Sequence, residues 1–137
     1  MKKLLFVFAI CCFAFPAYSA CTEAYSDAGD VVAVKIVCTG ANQSHAITPS
    51  TMNKIKGRWI FKGATIPSGS PDAAYDIDIK DSNGAPVGGT FLNNRSQTAA
   101  EEAEASPKAP IVENLSVIFS NQTAAGATVT TVLYFGK

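Results

Sequence analysis

Asp76, Asp78, Asp81 and Asn83 sit within eight positions of one another and form the densest group of potential oxygen ligands in this chain. A calcium loop sets its oxygen donors at alternate positions leading into a glycine. Gly84 is in place, but Ile79 stands where the first acid belongs, so the spacing is not that of a calcium loop. Asp76 and Asp78 also lie two apart, which points both the same way along a strand, as a carboxylate pair for glycoside hydrolysis would need. Neither has the apolar neighbours that make a general acid, and Lys56, Arg58 and Lys62 are at hand to neutralise them. The other reactive types are sparse. His45 is the sole histidine, which leaves almost no material for an imidazole metal site or a histidine-dependent triad. Glu101, Glu102 and Glu104 read as a solvated face. There is no G-x-S-x-G, no phosphate loop and no thiol beside a base. The expectation is a protein that is not an enzyme and uses neither cofactor nor metal.

The elements that hold these residues follow a period of two. In Ile55–Lys62, Ile55, Gly57, Trp59 and Phe61 share one face and Lys56, Arg58 and Lys62 the other. In Ala73–Lys80, Tyr75, Ile77 and Ile79 oppose Asp76, Asp78 and Lys80. Both read as half-buried antiparallel strands, and pairing them would set a basic row against an acidic one. On this reading Trp59 belongs to the core, and Asp81-Ser82-Asn83-Gly84 is turn chemistry. Further strands are expected at Cys21–Ser26, Val31–Cys38, Val87–Leu92, Glu113–Ser120 and Ala127–Phe135, with Asn121–Gly126 as the hairpin loop of the last two. Thr39–Asn53 reads as a connection carrying His45. Thr98–Ala105 reads as the one short helix, with Thr98 and Glu101 as a capping box and Pro107 as its stop. The sum is an all-β protein, a small antiparallel β-sandwich of six to seven strands with one short helix.

Composition narrows the function classes. Eleven basic and eleven acidic residues cancel, so the chain lacks the basic excess of a nucleic-acid or anionic-membrane binder. Lys2 and Lys3, the apolar run Leu4–Phe15, Pro16 and the small residues to Ala20 form a signal-peptide pattern with cleavage after Ser19 or Ala20. That divides the chain into 1–20, signal peptide, and 21–137, one β-sandwich domain, exported to the periplasm or outside the cell. Cys11 and Cys12 leave with the leader. Cys21 and Cys38 stay as an even pair in an oxidising compartment, at the ends of two strands that a hairpin would bring together. A bridge there would contribute about 3 kcal/mol on the chain-entropy argument. The alternative is a lipidated Cys21, although Tyr18 stands where leucine is usual. Sequons begin at Asn42, Asn94, Asn114 and Asn121, and read as products of a surface rich in Ser, Thr and Asn.

Taken in order, WIFKGATIP from Trp59, YDIDIKDSNGAPVGG from Tyr75, FLNNRSQTAAEEA from Phe91 and IVENLSVIFSNQTAAGATVTTVLYF from Ile111 form a distinctive series. It resembles a family of small tailed-bacteriophage virion proteins. These share a tryptophan-type strand, a Y-D-I-x-(L/I)-x-D-x-x-G hairpin, a Gly-Gly segment, an N-R-S/D-x-T linker and a final hairpin ending in V-L-Y. The likeness runs roughly from Gly57 to Phe135 and rests mostly on strand and turn chemistry. It implies a structural subunit of a virion head or tail, here with an added signal peptide. Its partners would be other protein subunits, a second copy of itself among them, with no nucleic acid and no membrane after signal cleavage. The rival class is an exported ligand-binding module for carbohydrate or a divalent cation, using the Asp76/Asp78 face. Mature exported protein is expected to begin at Ala20 or Cys21 and to gain two hydrogens in intact mass on reduction. A mass unchanged by reduction removes the bridge.

Overall fold

The computed structural model describes residues 20–72 and 74–137. The expected leader lies outside them except for Ala20, as do Cys11 and Cys12. The described residues form eight strands and one helix: β1 Ala20–Asp27, β2 Val31–Thr39, β3 Gln43–Ala46, α1 Pro49–Ile55, β4 Trp59–Ser68, β5 Asp76–Asp81, β6 Glu101–Pro110, β7 Leu115–Ser120 and β8 Thr128–Gly136. One sheet runs β1-β2-β8-β4-β6 and the other β3-β7-β5, every pairing antiparallel. This is a small all-β sandwich.

Alternation builds it. Val32, Val34, Ile36 and Cys38 of β2 are buried, as are Val129, Thr131, Leu133 and Phe135 of β8. Across the interior they meet Ile77 and Ile79 of β5 and Leu115, Val117 and Phe119 of β7. Burying each large apolar side chain contributes about 1.5–3 kcal/mol, and a one-residue slip would turn a whole set to solvent. Helix α1 closes one end of the sandwich. Pro49 supplies a pre-set first turn after Thr48, and Thr51, Met52 and Ile55 face inward. The chain leaves it through Gly57 at φ +80°, a left-handed turn suited to glycine, whose N–H donates to the Ile111 carbonyl.

Several expected elements fall differently. Ile55–Lys62 and Ala73–Lys80 do not pair: Ile55 ends α1, β4 lies between β8 and β6, and β5 pairs with β7 in the other sheet. The basic and acidic rows therefore never meet, and Lys62 pairs with Glu102. The inward face of β4 is also reversed near its start. Ile60 is fully buried and Trp59 is 46% exposed, because a bulge between Ile60 and Lys62 adds a residue and shifts the alternation. Thr98–Ala105 is not a helix. Glu101–Pro110 is an edge strand on which Ala103 and Ala105 turn inward while Glu102 and Glu104 turn out. Thr98 caps nothing there; its N–H and that of Ala99 donate to the Ser96 hydroxyl.

Val87–Leu92 forms no strand. It belongs to an excursion whose backbone bonds β5 edge-on, Val87 to Ile79, Ile77 to Leu92 and Arg95 to Tyr75. Asn121–Gly126 is a crossing between sheets and not a hairpin loop, since β7 and β8 lie on opposite layers. The excursion is anchored by Leu92, fully buried, which fits the notch left by Gly63. A Cβ on Gly63 would come within 2.9 Å of Leu92 Cδ1 and of Phe91 Cε2. Denaturant unfolding should therefore show Leu92→Ala destabilised by about 2–5 kcal/mol and Gly63→Ala by about 1–3 kcal/mol. Values near zero for both would mean that the excursion does not complete the core.

Candidate functional site

The two cysteines are the first expected site residues to be placed. Cys21 and Cys38 face each other in the β1–β2 register and are bonded, with Cα atoms 4.1 Å apart. Alternation puts Glu23 on the same inward face as Cys21, and there it joins the two sheets. His45 Nε2 lies 2.8 Å from Glu23 Oε2, the Thr48 N–H donates to Oε2 at 3.0 Å, and the Thr48 hydroxyl donates to Oε1 at 2.7 Å. His45 is thus on strand β3 and engaged across the sandwich, where sequence composition suggests a loop. Burial pushes the Glu23 carboxyl up. Hydrogen bonds from the Thr51 and Thr48 hydroxyls, the Thr48 N–H and His45 outweigh it, so the carboxyl lies below its ordinary 4.5. The sequence carried a trace of this clasp: an acid at an inward position of an edge strand must find donors across the layer.

The acidic residues near the β5 loops are engaged by the backbone. Asp76 accepts from the Asn94 N–H at 2.7 Å and from the Asn121 side-chain amide. Asp72, which sequence patterning did not single out, accepts from the N–H and hydroxyl of Thr123 and from the Ala124 N–H. The Thr123 N–H first, then its hydroxyl, hold the Asp72 carboxyl below the usual range. Asp81 accepts from the N–H groups of Asn83 and Ala85, the expected turn chemistry. Asn42 Oδ1 takes the Gln122 N–H, so Asn42 and Asn121, both sequon residues, tie loops together. Glu101 turns to the Ser96 N–H and toward Arg95, while Glu102 meets Lys62, so the three glutamates do not converge. Among the described residues no group of three His, Cys, Asp or Glu side chains is arranged to hold a metal ion.

The outer face of the five-stranded sheet presents a different chemistry. Trp59 and Ile66 are about half exposed at opposite ends of β4. Phe61 and Tyr134 pack between them with ring centroids 6.4 Å apart, and Lys62 Nζ sits 5.8 Å from the centre of the Tyr134 ring. Glu102, by its hydrogen bond to Lys62, raises the pKa of that amine and fixes its position. Farther along the same face a shallow groove of about 380 Å³ runs between Ala24, Lys35, Val132 and Tyr134. A second hollow of about 470 Å³ lies between α1 and β7, and among the described residues Lys56 is its only ionisable lining residue. The arrangement suits stacking, apolar contact and surface ion pairs; among the described residues no nucleophile and base are brought together in either hollow.

No protein-family model matches the chain, and no curated protein matches it. The Glu23 clasp makes a pH prediction of its own. A depressed native carboxyl contributes stability that is fully present above the unfolded value near 4.5 and is lost as pH falls through the lower native value. Denaturation midpoints measured from pH 7 down to pH 3 should therefore drop below about pH 4.5, and Glu23→Gln should flatten that drop. An identical acid limb in the variant would mean that the loss arises elsewhere.

Proposed function

We propose that this chain is an exported, non-enzymatic structural protein, a β-domain of the bacteriophage-virion kind that works through contacts with other protein subunits. The observation that carries this reading is the outer face around Trp59, Phe61, Tyr134 and Ile66. It offers exposed aromatic and aliphatic surface with Lys62 held by Glu102, which is the composition of a protein contact and not of a reaction centre. Export is supported by the leader-like residues 1–20 and by the Cys21–Cys38 bridge, which belongs to an oxidising compartment. The absence of an enzymatic role is supported by the engagement of Asp72, Asp76 and Glu23 in structural hydrogen bonds.

The same face favours a second reading, an exported carbohydrate-binding module. Half-exposed Trp59, with Phe61 and Tyr134 nearby, presents rings on which the C–H face of a sugar stacks. This moves the ligand reading away from Asp76 and Asp78, since Asp76 is already bonded to the backbone and to Asn121.

Peptide mass spectrometry on density-purified virions, beside periplasm and cell-free supernatant of the same culture, separates the two. A constant ratio to the major capsid protein is the expected result. Confinement to periplasm or supernatant overturns the virion role. Retention on a neutral polysaccharide gel that is lost in Trp59→Ala would then support the second reading.

A further inference from the structure

Among the described residues, three of the four sheet edges are defended. The outer side of β5 is bonded by the 85–95 excursion. Edge β6 carries Pro107, Pro110, Lys108 and three glutamates, which repel an added strand. Edge β3 is only four residues long. Edge β1 differs: eight regular residues without proline, lysine or bulge, and of the two acids on its Cys21 side Glu23 is held by His45 and Thr48 and Asp27 accepts from the Gly29 N–H. We propose that β1 pairs antiparallel with β1 of a second copy of this chain, joining two five-stranded sheets into one across a two-fold axis at Ala24. The proposal rests on the reading of the chain as a structural protein acting through protein contacts, and it names the partner and the edge.

The register follows from hydrogen-bond parity and charge. The Ala28 N–H donates to the Val31 carbonyl at the β1–β2 turn, which makes 28 and 31 a bonded pair. Counting back in register, Ser26, Ala24 and Thr22 spend their backbone groups on β2. Cys21, Glu23, Tyr25 and Asp27 therefore aim their N–H and C=O groups at the open side. The short Cα separation of Cys21 and Cys38, 4.1 Å, is that of a non-bonded pair and agrees.

Two copies then match only where odd-numbered residues meet odd-numbered ones, which places the axis on a residue and not between two. An axis at Glu23 sets Glu23 against itself, and an axis at Tyr25 sets Glu23 against Asp27, both like-charge oppositions. An axis at Thr22 shortens the overlap. With the axis at Ala24, Glu23 exchanges both backbone bonds with Tyr25 of the other copy, and Cys21 does so with Asp27. On the outer face Ala24 meets Ala24 and Thr22 meets Ser26, all small and all exposed in the single chain. No like charges face each other.

The test uses the mature, bridged protein. Light scattering after size exclusion is expected to give twice the chain mass, falling to the single mass for Ala24→Lys, which sets two ammonium groups on the axis and which is shown to be folded by a cooperative melt with a midpoint independent of concentration. Ala24→Cys is expected to cross-link to itself under mild oxidation, since a non-bonded pair brings two cysteines within bridging distance. Ser26→Cys alone, which faces Thr22, is expected not to. A single-chain mass at every concentration overturns the pairing, as does a dimer indifferent to Ala24→Lys, or equal cross-linking of both cysteine variants. A monomer that still co-purifies with virions at fixed ratio would overturn the edge pairing and leave the structural role standing. A dimer absent from virions would do the reverse.

Discussion

The sandwich depends on a strand that comes last in the sequence and lies in the middle of the larger sheet. β8 hydrogen-bonds β2 along one side and β4 along the other, and its Val129, Thr131, Leu133 and Phe135 form the centre of the inner face. Until Thr128–Gly136 is in place, the hairpin of β1 and β2 has nothing to lie beside, and β4 with β6 is a separate ribbon. The smaller sheet has the same logic around β7, which β3 and β5 flank. Both central strands belong to the final quarter of the chain. Contacts of such long sequence separation form slowly, because loop closure precedes the gain from packing. A chain that completes its core only at the end stays open while it is made.

Edge and central strands alike were legible in the sequence. The spans expected at Cys21–Ser26, Val31–Cys38, Glu113–Ser120 and Ala127–Phe135 each agree with the strand found to within about two residues, and the last three are dense in β-branched and aromatic residues between turn signals. The elements misread in the sequence are those where alternation is weak or interrupted. In β6 the inward positions are Ala103 and Ala105, helix formers too small to mark a buried face, so EEAEA read as a capped helix. In β4 the extra residue at the bulge reversed the face on which Trp59 stood. Helix α1 did leave a mark, Thr48-Pro49 followed by Met52 and Ile55 at helical spacing, inside a stretch whose polar composition resembled a loop.

The candidate surface was harder to read than the fold for a related reason. Period-two patterning says which residues share a face but not which strand will lie beside which. Lys62 had an apparent partner in the Asp76/Asp78 row and found one in Glu102, across an edge that local pattern did not supply. Phe61 and Tyr134 are far apart in sequence and adjacent only because β4 and β8 are neighbours. The bridge, by contrast, is local: one hairpin sets it, and for that reason the two cysteines could be paired from their places in the sequence.

The strand registers also give the sandwich two distinct poles. Ala20 stands level with Thr39 and Thr128 at one end, while Gly136 stands level with Val31 and Trp59 at the other, where Lys137 reaches Asp30. A body held at the residue before β1, on a particle or on a membrane lipid, would carry its aromatic end outward like the head of a pin. A tag appended after Lys137 would sit against that end, whereas one placed ahead of Ala20 would leave it clear.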